Sequence, residues 1–330
     1  MFRYLIITFL LFLSCTLFGQ VPNPYLFLEW RDSKDYTLQV GKLDFTDLFD
    51  CTIDLEDEFV SNEQSVDNYY QDLNKTINDL SVDKSDVLIY LHGFGAYRSY
   101  FVKTINSTLQ KEIVNKEGTD IGLQLTMSWS VGYNYLAGIP KSINLGEYYG
   151  DILVRSIKMI KAKNPDSKIH LITHSMGNRV FYGVFNRLKE AFDCPVIDHH
   201  VMAAPDIEPT AYLDGQPLDS IEYVVKDLSI YRHNTDRILT FSGEITESPR
   251  VGLVGFSDSL YMEIPEMIRI VDCSLLNDNE RFDIGNHNYY YQSPTVREDI
   301  YHILIDDQSA LDKNRKTLNH PRNFVLNFDH

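Results

Sequence analysis

From Val87 onward the sequence alternates between two kinds of segment. Val87-Leu88-Ile89-Tyr90-Leu91 and Ile169-His170-Leu171-Ile172 are short and almost wholly apolar, with no polar alternation. Runs like these suit strands buried on both faces of a parallel sheet. Between them, apolar residues recur at helical spacing: Phe101, Ile105, Leu109 and Ile113, then Tyr149, Ile152, Leu153, Ile157 and Ile160, with a stop near Asn164-Pro165. The stretch from Gly177 to Phe192 reads as a further helix. Leu123 to Trp129, Pro195 to Ala203, Asp227 to Tyr231 and Met267 to Val271 read as further strands. This order predicts an α/β fold with a mostly parallel central sheet and helices on both of its faces.

Upstream, Tyr25–Trp30 and Tyr36–Phe45 read as two strands joined by the polar turn Asp32-Ser33-Lys34-Asp35. Ser61-Asn62-Glu63-Gln64 resembles a capping box, and Val66, Tyr70, Leu73, Ile77 and Leu80 follow at helical spacing. The acidic run from Asp50 to Glu58 reads as a solvated face. Residues 20–85 are therefore expected to form an N-terminal extension of extra strands and a helix. It would pack on a core domain spanning 86–330.

Residues 1–19 have a different character. Met1-Phe2-Arg3 is a basic start, Tyr4 to Leu13 is apolar, and small residues punctuate Ser14 to Gly19. That is the pattern of a secretory signal peptide, and the apolar run is too short to span a membrane as a helix. A cut after Gly19 would leave Gln20 first. A lipoprotein cut before Cys15 is the rival, but Phe12-Leu13-Ser14 fits its pattern poorly. The protein is expected to be exported, to a periplasm or beyond. Of the remaining cysteines, Cys51, Cys194 and Cys273, no two form a CxxC pair, so zinc and thioredoxin chemistry are not signalled. Cys194 and Cys273 sit beside strand-like runs and are expected to be buried. A disulfide stays open, its pairing unassigned.

Thirty Lys and Arg stand against 47 Asp and Glu, a net charge of −17. So acidic a chain repels nucleic-acid backbones and anionic lipid surfaces. HExxH, G-x-x-x-x-G-K-[ST] and a post-strand G-x-G-x-x-G are all missing, so no metal, nucleotide or other cofactor is expected.

Chemistry is signalled at Thr173-His174-Ser175-Met176-Gly177, between a strand and a helix. A tight strand-to-helix turn there would project Ser175 above the sheet. Such a turn wants small residues two before and two after the serine. Gly177 fits and Thr173 departs. His92-Gly93-Phe94-Gly95 directly follows the strand ending at Leu91. Glycine there lets backbone approach a substrate closely. A serine hydroxyl needs a base to take its proton and a carboxylate to orient that base. Downstream candidates are Asp206, in Ala204-Pro205-Asp206, Asp236, in Asn234-Thr235-Asp236, and His287, in Gly285-Asn286-His287. His233, His302 and the pair His199-His200 are rival histidines, read here as packed or surface residues.

In order, the chain carries Leu91-His92-Gly93-Phe94, Thr126-Met127-Ser128-Trp129-Ser130, Thr173 to Val180, Ala203 to Ile207, Asn234 to Arg237 and Gly285-Asn286-His287. Over about residues 86 to 295 this series resembles a bacterial family of α/β-hydrolases of unassigned function, esterase- and lipase-like. The resemblance implies the α/β-hydrolase fold and a triad of Ser175, Asp236 and His287. It also implies an oxyanion hole from the backbone N–H of Met176 and of Gly93 or Phe94. Asp206 is the alternative acid; otherwise it is read as accepting hydrogen bonds from loop N–H groups.

The reading that follows is a serine hydrolase acting on a small-molecule or lipid-like carboxylic ester, thioester or amide. An acyltransferase with the same triad and a non-catalytic binding module on the same fold are the competing readings. Oligomeric state stays open. Tyr289-Tyr290-Tyr291 could line a pocket or pack at an edge. The Gly243–Glu263 segment could be a mobile pocket wall or a packed loop.

Overall fold

The computed structural model describes residues 25–31, 35–41, 63–80, 85–94, 100–129, 135–280, 283 and 285–326. Residues 1–19, read above as a signal peptide, with Cys15, Cys51, the acidic run at 50–58 and the Ser61-Asn62 end of the capping box, lie outside them.

Among the described residues, ten strands form one sheet. They are β1 (Tyr25–Arg31), β2 (Asp35–Gly41), β3 (Asp86–Leu91), β4 (Ile121–Ser128), β5 (Ile169–His174), β6 (Ile197–Ala203), β7 (Val225–Arg232), β8 (Ile268–Asp272), β9 (Arg315–Thr317) and β10 (Asn323–Leu326). Their order across the sheet is β2-β1-β4-β3-β5-β6-β7-β8-β10-β9. Every pairing between β1 and β10 in that order is parallel, and only the edge strands β2 and β9 run antiparallel. β3, β5 and β6 are buried at every residue. That suits the almost wholly apolar Val87–Leu91 and Ile169–Ile172, while β6 also buries Asp198, His199 and His200.

Strand periodicity divides the core in two. Val87, Ile89 and Leu91 face one apolar layer, Leu88 and Tyr90 the other. The first layer is covered by α1 (Glu63–Asp79), α3 (Tyr135–Lys163) and α4 (Gly177–Ala191), which supply Leu73, Leu153 and Phe181 among others. The second is covered by α2 (Tyr100–Leu109), which ends in a π-helical turn at Gln110–Val114, and by α8 (Pro294–Leu304). Smaller helices complete the chain: α5 (Arg237–Thr246), α6 (Val251–Val254), α7 (Tyr289–Gln292) and α9 (Gln308–Asn314).

The structure departs from the sequence reading in some places and chooses between open readings in others. α3 begins at Tyr135, well before the Tyr149 at which its periodicity becomes regular. Cys194 is exposed, in the turn leading into β6, while Cys273 is buried and its thiol pKa is pushed up by that burial. β9 and β10 extend the sheet beyond any strand anticipated. The 243–263 segment is a packed one, with Arg250, Val251 and Tyr261 buried. Tyr289, Tyr290 and Tyr291 form the helix α7 and are all core residues.

Because β3, β5, β6, β7 and β8 are parallel, their C-terminal ends lie along one edge of the sheet. The chain leaves that edge at His92, Ser175, Ala204, His233 and Cys273 in turn.

Candidate active site

Ser175 is the turn residue between β5 and α4, with φ of 53°. A left-handed serine is a strained backbone state, which costs on the order of 1 kcal/mol and has to be held by its surroundings. Here the holding is visible. Ser175 N–H donates to Ala203 O at 3.0 Å. Ser175 O accepts from the backbone N–H of Asn178 at 3.1 Å and of Asp206 at 3.2 Å, and from Asn178 Nδ2 at 2.9 Å.

The tightness of the turn fixes its neighbours. A Cβ on Gly177 would lie 2.5 Å from His92 O and 2.8 Å from Leu91 O, so only glycine passes the end of β3 there. Thr173, the departure from the small-residue pattern, is accommodated by hydrogen bonding. Its hydroxyl donates to Asn178 Oδ1 at 2.5 Å and accepts from His200 Nε2 at 2.9 Å. Burial lowers the His200 pKa to about 3, so His200 stays a neutral donor. Thr173, Asn178 and His200 therefore work together, through Asn178, on the Ser175 carbonyl.

The turn after β3 is clamped from behind. His92 Nδ1 donates to Gly93 O at 2.6 Å, and His92 Nε2 accepts from Trp129 N–H at 3.0 Å. The indole N–H of Trp129 returns a bond to His92 O at 2.8 Å, with the two rings stacked 5.4 Å apart. Burial lowers the His92 pKa to about 4, so both bonds belong to the neutral ring. The clamp seats Gly93 beside the serine: a Cβ on Gly93 would lie 2.9 Å from Ser175 Cβ. Among the described residues, the N–H groups of Gly93, Phe94 and Met176 make no backbone hydrogen bond. They are the donors that the resemblance implies for an oxyanion.

Asp236 and His287 come together although 51 residues separate them. His287 Nδ1 lies 2.6 Å from Asp236 Oδ2. The other carboxylate oxygen, Oδ1, caps α5 by accepting from Ile238 N and Leu239 N, each at 2.9 Å. Asp236 is fully buried, and each of its oxygens has a donor. Burial pushes His287 down, but the charge and hydrogen bond of Asp236 outweigh it and hold the imidazole above its ordinary pKa. The loops carrying the pair are tied to each other. Arg237 N–H donates to Gly285 O at 2.8 Å and Asn286 Nδ2 to Thr235 Oγ1 at 2.9 Å. Asp283, which no motif flagged, accepts from Asn288 N–H at 2.6 Å and from Gly285 N–H at 3.3 Å. No hydrogen bond joins Ser175 Oγ to His287 among the described residues.

Asp206, the alternative acid, is occupied elsewhere. Its carboxylate accepts from Ser242 Oγ at 2.5 Å and from the Tyr135 hydroxyl, and it pairs with Arg250 Nε at 2.9 Å. These are side-chain donors, where loop N–H groups were expected. Only its backbone N–H serves the turn, at Ser175 O. Of the rival histidines, His200 bonds Thr173 behind the turn, and the other three are engaged elsewhere. His199 pairs with Asp306 at 2.9 Å, His302 with Glu298 at 3.0 Å, and His233 Nδ1 bonds Thr235 Oγ1 at 3.1 Å. His174, which the sequence reading passed over, packs against His287.

The model of a family described as "Alpha/beta hydrolase of unknown function (DUF900)" matches residues 67–307. Comparison with curated proteins finds no match. Among solved structures, a lipase-esterase related protein from Clostridium acetobutylicum ATCC 824 is similar at 15% identity and a TM-score of 0.36, covering 68% of this chain and 96% of that one. A cutinase-like protein from Cryptococcus sp. is similar at 13% identity and a TM-score of 0.33, covering 67% of this chain and 93% of its own. Est1E from Butyrivibrio proteoclasticus is similar at 11% identity and a TM-score of 0.31, with 72% and 92% covered.

Proposed function

The chain belongs to this α/β-hydrolase family of unknown function, and on that premise we propose that it is an exported serine hydrolase that cleaves carboxylic esters through Ser175, Asp236 and His287. The observation that carries the proposal is the buried 2.6 Å contact from His287 Nδ1 to Asp236, on the same sheet edge as a left-handed Ser175. Asp236 keeps the proton on Nδ1, so Nε2 is the basic nitrogen. Ser175 Oγ attacks the acyl carbon and its proton passes to Nε2. The carbonyl oxygen becomes an oxyanion that accepts from Met176 N–H and from Gly93 or Phe94 N–H. When the tetrahedral intermediate collapses, Nε2 protonates the departing alcohol. Water, deprotonated by the same nitrogen, then attacks the acyl-enzyme and releases the acid. The contact between Ser175 Oγ and Nε2 closes in the substrate complex, as is common for catalytic hydrogen bonds that are loose in the free enzyme.

A fluorophosphonate probe tests the proposal directly. Wild-type protein should be labelled at Ser175, and Ser175→Ala should lose both the label and ester turnover by several orders of magnitude. Folded wild-type protein that takes no label would favour a binding module instead. Faster transfer to an added alcohol than to water would favour an acyltransferase. Export is tested by mass spectrometry of natively secreted protein. Its N-terminus should be Gln20, whereas a diacylglyceryl-modified Cys15 would replace that cut with the lipoprotein route.

A further inference from the structure

We propose that His174, the residue before the nucleophile, is a positioning residue that braces the base His287 against the oxyanion turn. The proposal rests on the hydrolase reading and adds a part to that site. His174 Nε2 donates to the backbone carbonyl of His287 at 3.1 Å. The two imidazole rings are 4.7 Å apart and inclined at 50°. Tyr290 lies against the His174 ring at 4.5 Å and 29°. The Tyr290 hydroxyl in turn meets the Tyr90 hydroxyl of β3 at 2.6 Å. The opposite nitrogen of His174 faces the oxyanion turn, since a Cβ on Gly93 would lie 2.9 Å from Nδ1. One ring thus touches the segment carrying the base and the segment carrying an oxyanion donor, and it is covalently next to Ser175.

The chemistry of the brace requires a neutral ring. Donation from Nε2 leaves Nδ1 without a proton, so the hydrogen bond itself selects the tautomer. Burial, the nearby His287 and His92 across the turn all push His174 well below the ordinary histidine range. That matters because His287 becomes an imidazolium during acyl transfer. A second positive charge packed against it would oppose that step. A lysine or arginine at this position would supply the donor but also the unwanted charge. A buried histidine supplies the donor without it.

The test compares full-length wild type with His174→Phe, which keeps an aromatic ring but loses the donor, and with His174→Gln, whose amide nitrogen reaches the Nε2 position. His174→Asn, which reaches only the Nδ1 position, makes a second contrast with Gln should the Phe variant not fold. The readings are kcat and KM for a simple ester, the melting temperature, and the NMR titration of the His287 ring. The donor-less variant should lose about 10- to 100-fold in kcat, the scale of a small misplacement of a catalytic group, with KM little changed. Its His287 midpoint should fall by about half a pH unit or more as the Asp236 contact loosens. His174→Gln should recover part of both at a similar melting temperature. Wild-type kcat and an unmoved His287 midpoint in the donor-less variant would overturn the brace. So would losses that only follow the melting temperature and that Gln does not reduce. If wild-type Ser175 takes no phosphonate label, the hydrolase reading fails. The His287 titration then decides alone: a lowered midpoint supports the brace and an unmoved one overturns it.

Discussion

At the scale of single residues, the two aspartates after β6 and β7 are chemically alike and structurally opposite. Asp236 orients His287 with one oxygen and caps α5 with the other. Asparagine is also a good N-cap, so Asp236→Asn should keep the helix while losing the tautomer control. A rate loss of about 10⁴ with little change in melting temperature is expected. Asp206→Asn leaves the fully buried Arg250 with one of its two carboxylate partners, Glu208, and weakens the bonds from Ser242 and Tyr135, which should cost roughly 1–3 kcal/mol of stability. Thermal denaturation beside steady-state kinetics separates the two, and the reverse pattern would move the acid role to Asp206. The same Asp236 contact sets a pH limb. His287 must be neutral to act as a base and is held above the ordinary value of 6.5. The kcat/KM profile should therefore fall on the acid side through a midpoint above 6.5. A midpoint below it would mean that burial, not Asp236, dominates. Ser175, Asp236 and His287 were legible because motif and chain order mark them. His174, Asn178, His200 and Asp283 were not, because their work is done through hydrogen bonds between segments far apart in sequence.

At the scale of elements, the strands buried on both faces were easy to read, since covering both faces leaves an unbroken apolar run. α3 was read fourteen residues short. Gly138, Pro140, Gly146 and Gly150 depress its helix propensity, but tertiary packing overrides propensity. A Cβ on Gly146 would lie 1.9 Å from Val180 O, and one on Gly183 would lie 2.2 Å from Glu147 N. What looks like a weak helix is a helix built to let α4 approach. Gly146→Ala should therefore destabilise by about 1–3 kcal/mol, the usual cost of overpacking, despite alanine's better propensity. Chemical denaturation checks it; a stabilised variant would show that the two backbones can separate at little cost. β9 and β10 escaped notice because they are only three and four residues long, and periodicity needs length to be seen.

At the scale of the whole molecule, the buried histidines couple folding to pH. Burial lowers His92 to about 4, His200 to about 3 and His174 well below its ordinary value. The unfolded chain takes up these protons as pH falls through 6.5, and the folded chain does not. Stability is therefore complete above 6.5 and lost as pH falls toward about 4. His287 has a raised pKa, so its contribution is fully present below 6.5 and does not alter the slope in this window. Each depressed histidine adds about 1.4 kcal/mol per pH unit once the unfolded chain is protonated, so three approach about 4 kcal/mol per unit. Urea midpoints at pH 6.5 and 5 should differ accordingly, and equal midpoints would mean that these rings are protonated in the fold. The far edge of the sheet bears on a different property. Among the described residues the sheet order ends at β9, three residues long, with the exposed Lys316 on it. A free strand edge is a template on which another chain can add, and brevity and positive charge are what deter it. The strand that closes the sheet thus favours staying dispersed at high concentration over growing edge to edge into polymers.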